Sequence, residues 1–142
     1  MEKIIQISQN LYQFTNQTAI IIVAAKQEGR VFQAGDGELV FIDQFRIPTP
    51  KFSDKEGFPG EEGKRENKVE AIIQTEYLDY FKKLFHSLAR NLKPTHIYLF
   101  APVHTAKELR ELTKPIFGAI PVKIINGIFT DESPQDLLKR LG

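Results

Sequence analysis

The chain has 142 residues, of which 42% are hydrophobic, 26% charged and 11% aromatic, the profile of an ordinary folded domain and not of a disordered, collagen-like or membrane-spanning chain. The absence of cysteine excludes zinc-thiolate sites, iron–sulfur clusters, thiol catalysis and disulfides, and at this size about 68–70% of the unfolded surface is buried without such staples. Nineteen Lys plus Arg against eighteen Asp plus Glu leave a formal charge of +1, so any attraction to nucleic acid or anionic lipid has to be local.

Met1-Glu2-Lys3 opens no basic segment ahead of an apolar core, and the longest apolar run, Ala19 to Ala25, is far below the roughly 18 residues of a membrane span. A cytoplasmic protein without a membrane partner is expected. Ile4, Ile5, Leu11 and Tyr12 fall at helical spacing, which predicts a short helical extension over residues 1–16, although Ile5 and Ile7 also alternate as a strand would. Thr18 to Ala25 is the strongest strand signal. Its consecutive β-branched residues Ile20, Ile21, Ile22 and Val23 suit a strand buried on both faces, in the middle of a sheet.

Arg30 to Ala34 and Glu38 to Phe45 are β-rich runs separated by Gly35-Asp36-Gly37, the pattern of a hairpin, so the first half of the chain reads as a three-stranded antiparallel meander. From Pro48 to Lys68, three prolines, three glycines and ten charged residues interrupt every apolar period, and a long loop is expected. Asn67 with Glu70 resembles a helix cap. The helix it opens carries Ile72, Ile73, Tyr77, Tyr80, Phe81, Leu84, Phe85, Leu88 and Leu92 on one stripe, and Gln74, Asp79, Lys82, Lys83, His86 and Arg90 on the other.

His96 to Ala101 is another apolar strand, and Thr105 with Glu108 repeats the capping pattern before a helix that ends near Thr113, ahead of Pro115. Ala119 to Ile125 supplies the last strand. Ser133-Pro134 caps a terminal helix containing Leu137, Leu138 and Leu141. Right-handed crossovers make the last two strands parallel to a meander strand. The expected fold is therefore α/β, a ribonuclease-H-like mixed five-stranded sheet of order 3-2-1-4-5 with helices on its faces, formed by one domain over 1–142 with its core at 18–141.

Metal-dependent nuclease chemistry on such a sheet needs carboxylates at the central strands. Ala19 to Ala25 and Ile97 to Val103 contain none, and no catalytic residue, metal site or cofactor is expected. The three histidines share no metal-ligand spacing. His104 and Thr105, beyond one central strand, would lie with Lys26 and Asn126 near the carboxyl ends of the parallel strands. There they could gather around a small anion, or simply finish strands and cap helices. The Pro48–Lys68 loop carries Lys51, Lys55, Lys64, Arg65 and Lys68 against five acidic residues, for no net charge. It is either a solvated loop or, through its basic end beside Lys82 and Lys83, an RNA-contacting edge.

Three stretches carry a family likeness: Ile20-Ile21-Ile22-Val23-Ala24 through Gly29-Arg30-Val31-Phe32 to Gly37-Glu38-Leu39; Ile97-Tyr98-Leu99-Phe100-Ala101-Pro102; and Phe129 to Leu137 with its Ser-Pro helix start. Together they resemble the bacterial host-attachment protein family, which is similar to the middle domain of archaeal and eukaryotic peptide-chain release factors and of Pelota, over nearly all of Ala19 to Leu141. In release factors the loop before the long helix presents a Gly-Gly-Gln tip that positions water at the ester of peptidyl-tRNA. The corresponding Pro48–Lys68 stretch has no glutamine, and the nearest downstream, Gln74, falls within the predicted helix. The resemblance thus implies a non-catalytic, release-factor-like domain that binds the ribosome or tRNA. The competing expectations are a small-anion-binding or hydrolase site at Lys26, His104, Thr105 and Asn126, and an attachment-type interaction module that pairs two copies through the N-terminal helix.

Overall fold

Period-two alternation along the strands and a four-residue aromatic repeat along one helix decide how the chain packs. The structure, a computed structural model, describes residues 4–49 and 62–141. Its elements are β1 (Ile4–Gln6), β2 (Ala19–Ala24), β3 (Glu28–Gly35), β4 (Glu38–Arg46), α1 (Glu62–Leu92), β5 (His96–Ala101), α2 (Val103–Phe117), β6 (Val122–Asn126) and α3 (Pro134–Lys139). Together they form a mixed α/β fold around one sheet of order β1-β4-β3-β2-β5-β6.

β2, β3 and β4 are the antiparallel meander, and the β3–β4 hairpin turns at Asp36 and Gly37, both at positive φ, as a tight two-residue connection requires. β2 pairs in parallel with β5, setting Ile20–Val23 against Ile97–Phe100, and β5 pairs in parallel with β6. All six residues of β2 are buried, as expected of a strand covered on both faces.

The sheet differs from the expected five-stranded order because a sixth strand lies at its edge. Residues 1–16 do not form the expected helix among the described positions: Ile4, Ile5 and Gln6 pair with Val40, Leu39 and Glu38. The open edge of β4 satisfies the backbone of this short segment, which the helical spacing of its apolar residues did not foretell. The following residues fold under the sheet, where Ile7 donates its N–H to the Gly37 carbonyl at 2.8 Å and Phe14 is fully buried.

Odd and even strand positions feed two cores. On one face, Ile20, Ile22, Val31, Phe45, Ile97 and Leu99 lie beneath α1 and α2; on the other, Ile21, Val23, Phe32, Leu39, Tyr98 and Phe100 lie against Phe14, Phe129 and α3. α1 docks through Ile73, Tyr77, Phe81 and Phe85, one side chain every four residues. Gly29 makes that approach close, since a Cβ there would stand 2.7 Å from the Phe81 ring.

Three helix boundaries differ from the expectation. α1 begins at Glu62, ahead of the Asn67–Glu70 cap, because Glu, Lys and Arg are good helix formers that need no apolar period to continue a helix. α2 begins at Val103 with Pro102 as N-cap, so Thr105 lies inside it and caps nothing, and it runs through Pro115 to Phe117, where Gly118 N–H closes on the Lys114 carbonyl. Pro115 sits in the last turn, where one lost hydrogen bond does not stop the helix. β6 begins at Val122, not Ala119, after Pro121. α3 starts as read, with Ser133 Oγ accepting from the Asp136 N–H at 3.2 Å. Among the described residues, no helix is long and apolar enough to cross a membrane.

Candidate nucleic-acid interface

α1 is 31 residues long, about 46 Å, more than twice the roughly 20 Å of the six-residue β5. Tyr77 fixes its level against the sheet: its hydroxyl donates to the Glu28 carbonyl at 3.0 Å, and burial pushes its phenol well above the usual tyrosine range. Glu62 lies about 22 Å before this anchor along the helix. Tyr80, one position off the buried stripe, stacks its ring on Phe45 and donates to Asp43 Oδ2 at 2.6 Å. That hydrogen bond, more than burial, pushes its phenol up to about 12.

The outward side of the helix follows from the inward one. Ile73, Tyr77, Phe81, Phe85 and Leu88 are buried, whereas Lys82, Lys83, His86 and Arg90 are exposed, with Lys93 exposed just past the last turn. Eighteen residues make five full turns of an α-helix, about 27 Å. Positions 64, 65 and 68 precede 82, 83 and 86 by that interval, so the helical backbone places the two sets at the same azimuth. Of the expected RNA-contact residues, Lys64, Arg65 and Lys68 thus fall in line with Lys82 and Lys83, while Lys51 and Lys55 lie outside the described residues. Among the described residues, no ion pair takes up Lys82, Lys83 or Arg90.

Arg90 shares this outward side and Lys93 is exposed directly after the helix; neither was among the expected contacts. The signal that finds them is the helical period, extended beyond the two adjacent lysines. Lys93 has φ 48°, a left-handed residue closing the helix, which puts a cation at the negative end of the helix dipole.

The four anion-site candidates lie toward one end of the sheet. Lys26 follows β2, His104 and Thr105 lie in the first turn of α2, and Asn126 ends β6 in register with Ala101. Lys26 Nζ faces Glu70 Oε1 at 3.8 Å, and His104 Nε2 lies 3.1 Å from Glu108 Oε1, while the other Glu108 oxygen accepts from Gln74 Nε2. Two of the four are thus matched to carboxylates, and no hydrogen bond among the described residues links one candidate to another. α1 and α2 cover the same face of the sheet. A shallow depression of about 310 Å³, lined by Arg110, Thr113, Lys114 and Gly118 to Val122, lies at the start of β6. Among the described residues, no cluster of three His, Asp or Glu side chains is placed to hold a metal ion.

No family model and no curated protein sequence matches the chain. Solved structures do. An archaeal translation termination factor, aRF1, overlaps with 12% identity and a TM-score of 0.49, covering 87% of this chain and 37% of its own length. Saccharomyces cerevisiae Dom34, described as a translation termination-like factor in RNA quality control that interacts with Hbs1, overlaps with 12% identity and a TM-score of 0.44, covering 89% of this chain and 37% of its own. An archaeal protein gives 12% identity, a TM-score of 0.44, and 87% and 36% coverage. This chain spans little more than a third of each of these proteins, and no site residue follows from the overlaps.

Proposed function

We propose that the chain is a non-catalytic, release-factor-like domain on a ribonuclease-H-like sheet, and that it binds the ribosome or tRNA through the outward side of α1. The observation that carries the reading is the alignment, five turns apart, of the basic positions 64, 65 and 68 with Lys82, Lys83 and His86, extended by Arg90 and Lys93. Cations gathered along one side of a helix supply a local attraction for phosphates in a chain whose net charge gives no global field. The translational setting comes from the likeness of Ile97 to Pro102 and Phe129 to Leu137 to the host-attachment and release-factor families. The absence of glutamine between Pro48 and Lys68, with Gln74 hydrogen-bonded to Glu108, supports the non-catalytic part of the reading.

Gradient sedimentation of the intact chain with ribosomes and their subunits tests this reading. Co-migration that weakens as salt is raised is expected, because phosphate contacts are lost with counterion uptake. Lys82→Glu/Lys83→Glu and Lys64→Glu/Arg65→Glu/Lys68→Glu should each move the protein toward the top of the gradient. Migration as free protein at every salt concentration, or co-migration indifferent to both sets of substitutions, overturns the reading.

A further inference from the structure

The sheet ends in β1 on one side and β6 on the other, and the fold treats these edges differently. At β1 the Ile7 N–H bonds the Gly37 carbonyl, so the backbone groups of Gln6 face away from β4, and the Gln6 carbonyl accepts from Gln135 Nε2 at 3.1 Å. β6 has no such cover among the described residues. There the Ile97 N–H bonds the Pro121 carbonyl and the Gly127 N–H bonds the Ala101 carbonyl, so the register of the parallel pair turns positions 121, 123, 125 and 127 toward β5. Val122, Ile124 and Asn126 therefore point their N–H and C=O groups outward, where no backbone group among the described residues meets them. Pro121 faces β5 and removes no outward donor, so proline does not blunt this edge.

The flank of the edge is basic. α2 lies over β5 and β6, and Lys107, Arg110 and Lys114 recur along one of its sides at helical spacing, all exposed. Arg110 and Lys114 share a depression with Ile120, Pro121 and Val122, which sets this side of α2 at the start of β6. Among the described residues no ion pair takes up any of the three, and Glu111 is the exposed carboxylate in the same stretch. Lys123 adds an exposed cation on the other face of the strand, since its neighbours Val122 and Ile124 pack toward the helix-covered core.

These charges oppose a second copy on the edge. Antiparallel pairing of β6 with itself would set the two α2 axes two strand intervals apart, about 10 Å, which is helix-contact distance, with like charges face to face. A nucleic acid answers the charge but not the row of peptide donors and acceptors. An extended peptide with carboxylates at every second residue answers both: three such carboxylates span about 13 Å, close to the roughly 10 Å from Lys107 to Lys114 along α2. From the open edge and its basic flank we infer that β6 receives an extended acidic segment of a partner protein by strand addition. Val122, Ile124 and Asn126 bond its backbone, and Lys107, Arg110 and Lys114 face its alternate carboxylates. The inference does not draw on the RNA-binding reading of α1.

Selection of displayed random peptides of about ten residues on the intact chain tests it. Enriched sequences are expected to alternate Asp or Glu with β-branched residues. A synthetic copy of the most enriched peptide should lose at least about tenfold in affinity for Arg110→Glu/Lys114→Glu, with circular dichroism confirming the fold, and nothing for Lys82→Glu/Lys83→Glu. Methylating the peptide's own backbone nitrogens at alternate residues leaves the protein untouched. One of the two alternate patterns should abolish binding and the other be tolerated, because only one set of N–H groups faces β6. Enrichment without acidic residues, equal tolerance of both methylation patterns, or affinity indifferent to Arg110→Glu/Lys114→Glu overturns the inference. So does the absence of any enriched peptide, whether the edge instead binds a labelled single-stranded RNA in a manner lost with Arg110→Glu/Lys114→Glu or forms a dimer in sedimentation that Asn126→Pro dissolves.

Discussion

The two faces of the sheet are covered by different means. On one, rings from β4, α1 and α2 form a run, with Phe45, Tyr77, Phe81, Phe85 and Phe117 in successive contact. On the other, the N-terminal segment and α3 supply Ile7, Phe14, Leu137 and Leu138, with Phe14 edge-on to Tyr98, and the connection between β6 and α3 is tied down by polar clamps. The Arg30 guanidinium donates to the carbonyls of Thr130 and Glu132 at 3.1 and 2.8 Å, and Arg140 pairs with the Glu132 carboxylate while lying over the Phe129 ring. Partial burial pulls the Arg30 pKa down and the nearby Asp131 charge pushes it back up, a cation committed to structure. The difference locates the work of each side. The helix-covered face fixes a long helix whose far side is exposed, and the clamped face closes the fold with its arginines tied to backbone carbonyls and to Glu132.

The sharpest way to break this comparison is to remove the ring at its centre. Phe81 is fully buried, packs on Phe45, Tyr77 and Phe85, and fills the space over Gly29. Phe81→Ala should cost about 3–5 kcal/mol of stability in denaturant unfolding. On the clamped face, Arg30→Met keeps an apolar stem but loses both carbonyl contacts, and about 1.5–3 kcal/mol is expected. If Arg30→Met proved the more damaging of the two, the clamps and not the aromatic run would dominate, and the contrast between the faces would fail.

How much of this was legible in the sequence depends on whether an element is specified locally. The Ile20–Val23 run announced a doubly covered strand because every position in it is apolar. Ser133-Pro134 announced a helix start because cap chemistry acts over three residues. Ser133→Ala removes only that cap and should cost about 1 kcal/mol, read in the same unfolding experiment. β1 was not legible, since what makes Ile4 to Gln6 a strand is the edge of β4, more than thirty residues away in sequence. The start of α1 was hidden for the opposite reason: Gly63 and a run of charges look like loop when periodicity is the only guide. Once that helix is known to begin at Glu62, the 18-residue interval between its basic groups becomes visible. The anion site was legible only as a shared strand end. The Lys26–Glu70 and His104–Glu108 pairs at that end depend on where α1 and α2 come to lie, which no local pattern foretells.

The smallest expected effect on stability is also the most discriminating. Lys82 and Lys83 are exposed and free of ion pairs among the described residues, although the buried Phe81 and Phe85 lie within one turn of them. Lys82→Glu/Lys83→Glu should therefore shift the unfolding free energy by no more than about 0.5 kcal/mol per substitution, as for surface positions away from packing or capping features. The same change reverses four units of charge on the outward side of α1, because each lysine exchanged for glutamate alters the local charge by two. A folded, unaltered unfolding midpoint combined with lost co-sedimentation would separate the two sides of one helix, the inner one stabilising and the outer one binding. A large stability loss would instead mean that these lysines are part of how α1 is held to the sheet, and the division of labour between its two sides would not exist.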